Sequence, residues 1–152
     1  MSTLKDRLRI DLTAAMKARD KARAGTLRMV MASITEAEVA GKEAKELTDD
    51  EIITILTREA KKRREAATAF AEGGRTESAE KETAEAAVIT EYLPAQLSAE
   101  EISDLVSKAI AQTGAAELGM KGMGKVMGIL TPQTKGKADG GAVAAEVRKQ
   151  LG

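Results

Sequence analysis

The residues most able to do chemistry lie between Gly119 and Gly141, in Gly-Met-Lys-Gly-Met-Gly-Lys-Val-Met-Gly-Ile-Leu-Thr-Pro-Gln-Thr-Lys-Gly-Lys-Ala-Asp-Gly-Gly. Seven glycines, four lysines (Lys121, Lys125, Lys135, Lys137) and three methionines share this stretch with one carboxylate, Asp139. Lysine beside glycine suits anions: the backbone can approach closely, and the ammonium groups neutralise phosphate. Amides at the starts of nearby helices would add to such a site. The plainer alternative stays open: glycines for tight turns and close packing, with lysines merely solvated. A second cationic run, Lys61, Lys62, Arg63 and Arg64, has the same two readings, a phosphate-facing patch or a solvated helix with long stems over apolar neighbours.

Composition removes much other chemistry. The 152-residue chain has no cysteine and no histidine. Disulfides, thiolate nucleophiles, imidazole bases and the usual zinc sites are therefore excluded. There is no P-loop and no serine elbow, and the carboxylates fall on helix faces and in capping boxes. No catalytic residue, cofactor or metal is expected. Twenty-four basic residues balance twenty-four acidic ones, so no overall field draws in a polyanion. From Leu118 onward, however, six cations face Asp139 and Glu146 alone, a local excess of four. Phe70 and Tyr92 are the only aromatics, too few for a base-stacking platform. No apolar run is long enough to span a membrane and no signal core follows the N-terminus, so a soluble cytoplasmic protein is expected.

The elements that must position these residues read as all-α. Leu4, Leu8, Leu12, Ala15 and Met16 stripe a first helix over Leu4–Arg19, with Thr3 as N-cap and Asp6 reaching back. Asp20 caps a second, Lys21–Ala40, stopped by Gly41. Thr48-Asp-Asp-Glu51 opens a third, Asp49–Glu72, with Arg63 on its inner face. Gly73-Gly74 turns the chain into an acidic fourth helix, Thr76–Tyr92, whose glutamates complement the basic third in a hairpin. Pro94 marks a boundary, giving an N-terminal helical bundle over 1–93 and a small three-helix domain over 94–152. In the latter, Ser98-Ala-Glu-Glu101 caps a helix over Ala99–Thr113 and Gly114 stops it. A helix over Met123–Leu130 ends at Pro132, with Gly124 and Gly128 spaced for a close helix crossing. Asp139 caps the last helix, Gly140–Leu151.

Three motifs, Glu91-Tyr-Leu-Pro-Ala-Gln-Leu-Ser98, Met123-Gly-Lys-Val-Met-Gly128 and Lys135-Gly-Lys-Ala-Asp-Gly140, resemble the GatB/YqeY family in order and spacing. The Leu27–Glu36 segment and the Lys61–Arg64 run extend the resemblance over nearly the whole chain, closest to the stand-alone YqeY-like proteins. It implies an all-helical fold whose C-terminal part is similar to the tail domain of the GatB subunit of tRNA-dependent amidotransferase. That tail contacts tRNA and lies away from the catalytic site. The implied function is a non-catalytic tRNA-binding or amidotransferase-related accessory protein, with tRNA or a tRNA-charging or amidotransferase enzyme as partner. Lys125 and Lys137 occupy family-motif positions, so they lead the candidates; Lys121, Lys135 and the Lys61–Arg64 run follow. The alternatives are a protein-interaction module without RNA affinity, and a carbon–nitrogen ligase with glutamine as amido donor. In one departure, Gly122 stands where family members often have Asp, which weakens any cap there; Gly141 also replaces a position that is often polar.

Overall fold

The computed structural model describes residues 2–152, and the fold is all-α. Seven α-helices occur among the described residues: α1 Thr3–Lys17, α2 Lys21–Val39, α3 Asp49–Glu72, α4 Thr76–Thr90, α5 Ala99–Thr113, α6 Met123–Thr134 and α7 Gly140–Leu151. Short 3-10 turns at Ala115–Glu117 and Gly119–Gly122 link α5 to α6. The chain forms two compact units, one up to Leu93 and one over Pro94–Gly152.

The first unit is built on the α3–α4 hairpin, with α1 and α2 beside it. Leu8, Leu27, Ile34, Ile52, Leu56 and Ile89 are fully buried at its centre. Burying each such side chain contributes roughly 1.5–3 kcal/mol. Tyr92 closes one end. Its hydroxyl donates to Asp11 and accepts from Arg23 Nη2 at 3.3 Å, and the Arg7 guanidinium lies 4.6 Å over its ring. Burial, then the bond to Asp11, pushes the phenol up to about 12.

The cap of α1 differs from the sequence expectation. Ser2, one residue earlier than Thr3, accepts from the Lys5 amide at 3.0 Å. Thr3 is drawn away because its hydroxyl donates to Asp49 of α3 at 2.8 Å, and Asp49 also accepts from the Ser2 hydroxyl and the Leu4 amide. These three donors hold the Asp49 carboxyl below its usual range. Asp6 pairs with Arg9 at 3.6 Å. Met16 does not join the buried stripe; it is 50% exposed. At α3, Thr48 accepts from the Glu51 amide at 3.2 Å, while the Glu51 carboxylate goes to Lys45 at 3.1 Å.

The second unit packs α5, α6 and α7 around Val106, Ala109, Val126, Leu130, Val143 and Val147. Ser98 and Glu101 form the reciprocal capping box at the start of α5, both bonds at 3.1 Å. Gly114 ends α5 at φ +68, a left-handed conformation that glycine adopts without strain. Pro132 does not end α6; it lies inside it, and the helix runs on to Thr134. Proline there forfeits its bond to the carbonyl four residues back, that of Gly128, and its ring crowds the same carbonyl. Gly128 is exposed and has no Cβ, so water can reach that carbonyl.

Candidate nucleic-acid interface

The two cationic runs are placed differently. In the first unit, Arg63 is only 18% exposed, between α3 and α4, 3.3 Å from Glu85, 3.6 Å from Glu59 and 3.8 Å from Glu82. Glu82 and Glu85 of α4 therefore meet Arg63 of α3 inside the hairpin. Three carboxylates exceed what one guanidinium neutralises. Burial, and then the charge of Glu82, raises the Glu85 carboxyl above the usual carboxylate range. Lys62 lies 3.4 Å from Glu59. Lys61 is half-buried and engaged, whereas Arg64 is exposed and borders a shallow hollow with Thr83 and Ala87. The run points around the helix and does not converge on one face.

In the second unit Lys121, Lys125, Lys135 and Lys137 are all exposed, and none has a side-chain partner among the described residues. At helical spacing Gly124, Lys125, Gly128, Thr131 and Pro132 fall on one face of α6, and all five are exposed. A Cβ built at Gly124 or Gly128 would meet nothing within 4 Å. These glycines therefore support no helix crossing within the unit, contrary to the spacing argument; they leave the backbone of α6 open. The close approach falls instead at Gly122, whose added Cβ would lie 2.7 Å from the Ala115 Cβ. An aspartate at this position would collide with Ala115, which accounts for the glycine.

The loop after α6 has a fixed backbone. Gly136, at φ +75, accepts from Gln96 Nε2 at 2.8 Å, and the Lys137 carbonyl accepts from the Leu97 amide at 2.8 Å. These bonds hold Lys135 and Lys137 on an ordered loop with their ammonium groups outward. The helix starts contribute less than expected. The Asp139 carboxylate occupies the start of α7, accepting from Gly141 at 3.1 Å. At α6 the Met123 amide is already bonded to Met120 through the preceding 3-10 turn.

The family model described as Yqey-like protein matches residues 5–151. The chain belongs to the YqeY family. No curated protein gives a match. The YqeY match runs through both compact units, so the α3–α4 hairpin and the glycine-faced α6 both belong to the family's extent. No group of three or more acidic residues among the described residues could hold a metal ion, and no helix of theirs is long and apolar enough to cross a membrane. Leu118, which the sequence does not single out, and Met120, at the turn leading to Lys121, are 44% and 49% exposed. Periodicity assigns such residues to cores, and only the 3-10 geometry turns them outward.

Proposed function

We propose that this YqeY-family chain is a non-catalytic accessory protein that contacts tRNA phosphates through the exposed face of α6 and the loop after it. The observation that carries this reading is the set of four exposed lysines without side-chain partners among the described residues: Lys125 on the α6 face whose glycines leave the backbone approachable, Lys121 in the turn before α6, and Lys135 and Lys137 in the loop after it. The resemblance of the C-terminal part to the GatB tail domain supports the choice of tRNA. Recognition is by shape and phosphate, since no aromatic residue lies in this unit.

Fluorescence anisotropy of labelled tRNA across a salt series tests it. Lys125→Ala/Lys137→Ala should lower affinity and make the log–log salt slope shallower by roughly 1–2. Gly128→Leu should also weaken binding, by covering the backbone without altering charge. Absence of binding at low salt sinks the proposal.

A second reading, a protein-interaction module without RNA affinity, is favoured by the exposed Leu118 and Met120 beside the same turn. Absence of tRNA binding by the unaltered chain at low salt, together with loss of a stable protein partner in Leu118→Ser/Met120→Ser, would support it over the first.

A further inference from the structure

The turn between α1 and α2 carries a second cationic surface. Elsewhere on these helices the cations have acidic partners: Lys5 with Glu38, Arg7 with Asp11, Arg9 with Asp6, Arg23 with Glu91. Lys17, Arg19, Lys21 and Arg28 have no side-chain partner among the described residues. The only carboxylate from residue 17 to residue 28 is Asp20, and it accepts from the Arg23 amide as the N-cap of α2.

Three of these cations rim a hollow of about 620 Å³ that opens to solvent. Its floor is Ala15 and Ala24, both buried, and Met16 forms one wall. Arg19, Lys21 and Arg28 stand around it, with Asp20, whose carboxylate is engaged as the N-cap of α2. Arg19 has φ +58, at the helix-ending position where glycine is usual. Its side chain makes no hydrogen bond or ion pair among the described residues that offsets this strain.

We propose that this corner docks an acidic segment of a partner protein, with one large apolar side chain in the hollow and flanking carboxylates on Arg19, Lys21 and Arg28. The apolar floor decides the class of partner. A phosphate backbone needs the cations but not the alanine floor, and no aromatic lines the hollow to stack a base. The flexible thioether of Met16 adapts to an aliphatic or aromatic anchor. Opposite charge at the rim would fix orientation and speed encounter.

The test is a titration of the ¹⁵N-labelled full chain with an acetylated, amidated peptide, Gly-Glu-Glu-Leu-Phe-Glu-Glu-Gly, followed by amide shifts. Shifts should concentrate in residues 15–28 and saturate below ~1 mM peptide. Replacing Leu-Phe by Gly-Gly, or the glutamates by glutamines, should weaken binding about tenfold, a loss worth about 1.4 kcal/mol. Arg19→Gly/Arg28→Gln should do the same. Arg19→Gly alone should raise Tm, because glycine takes positive φ without strain, which separates loss of binding from loss of fold. The proposal is overturned by an absence of shifts at about 2 mM peptide, or by equal binding of the Gly-Gly peptide. It is also overturned if an RNA hairpin shifts residues 15–28 and displaces the peptide.

Discussion

Lys61–Arg64 and the lysines of residues 121–137 look alike in sequence, four cations in a short span, yet they differ in what faces them. The α3 run lies opposite α4, whose Glu82 and Glu85 enclose Arg63 together with Glu59. Of the other four, Lys125 lies on an exposed face of α6 and Lys121, Lys135 and Lys137 in the turns flanking it, with no carboxylate partner among the described residues. A charge run therefore becomes a structural joint or an available surface according to the element packed against it. Charge count alone does not distinguish the two.

Truncation at each run should separate them most clearly. Arg63→Ala leaves three carboxylates crowded together and should destabilise the first unit by about 3 kcal/mol in a urea melt. Lys125→Ala should leave stability within ~0.5 kcal/mol while lowering tRNA affinity. Equal stability losses would abolish the distinction.

The glycines allow the same contrast on one short segment. Gly122→Ala forces a Cβ against Ala115 and should destabilise the second unit by about 2 kcal/mol. Gly128→Ala, in open space on a helix, should stabilise it by roughly 0.5–1 kcal/mol. Thermal melts of both variants check this, and a destabilising Gly128→Ala would show that the face is covered.

The smallest effect concerns pH. The Glu85 carboxyl is raised in the folded chain, first by burial and then by Glu82. Its folded value exceeds its unfolded value, so the native state binds that proton more tightly. The resulting stability is present at acid pH and lost as pH rises through the raised value. Glu85→Gln should therefore match wild type near pH ~4 and exceed it near pH ~7 by under about 1 kcal/mol. Superimposable pH profiles would show that the Glu85 carboxyl is not raised in the folded hairpin.

Several particulars could be read before folding. The capping box Ser98–Glu101, the stop at Gly114 and the bounds of α3 and α5 follow from short-range rules, because each involves residues within four positions of one another. The inward placement of Arg63 also followed from helical period. The cap of α1 could not be read this way, since Thr3 is drawn off by Asp49, forty-six residues away. Pro132 was misread because its penalty depends on whether the freed carbonyl can reach water, and that depends on exposure.

The sequence by itself determined the helices, the break at Pro94 and the class of chemistry available, because periodicity, caps and composition act locally. Tertiary structure decided which cations stayed without partners and which glycines were covered. It buried Gly122 against Ala115 and left Gly124 and Gly128 open. It left Lys17, Arg19, Lys21 and Arg28 without side-chain partners among the described residues. Charge pairing and close approach are properties of facing surfaces, and a sequence does not state which surfaces face.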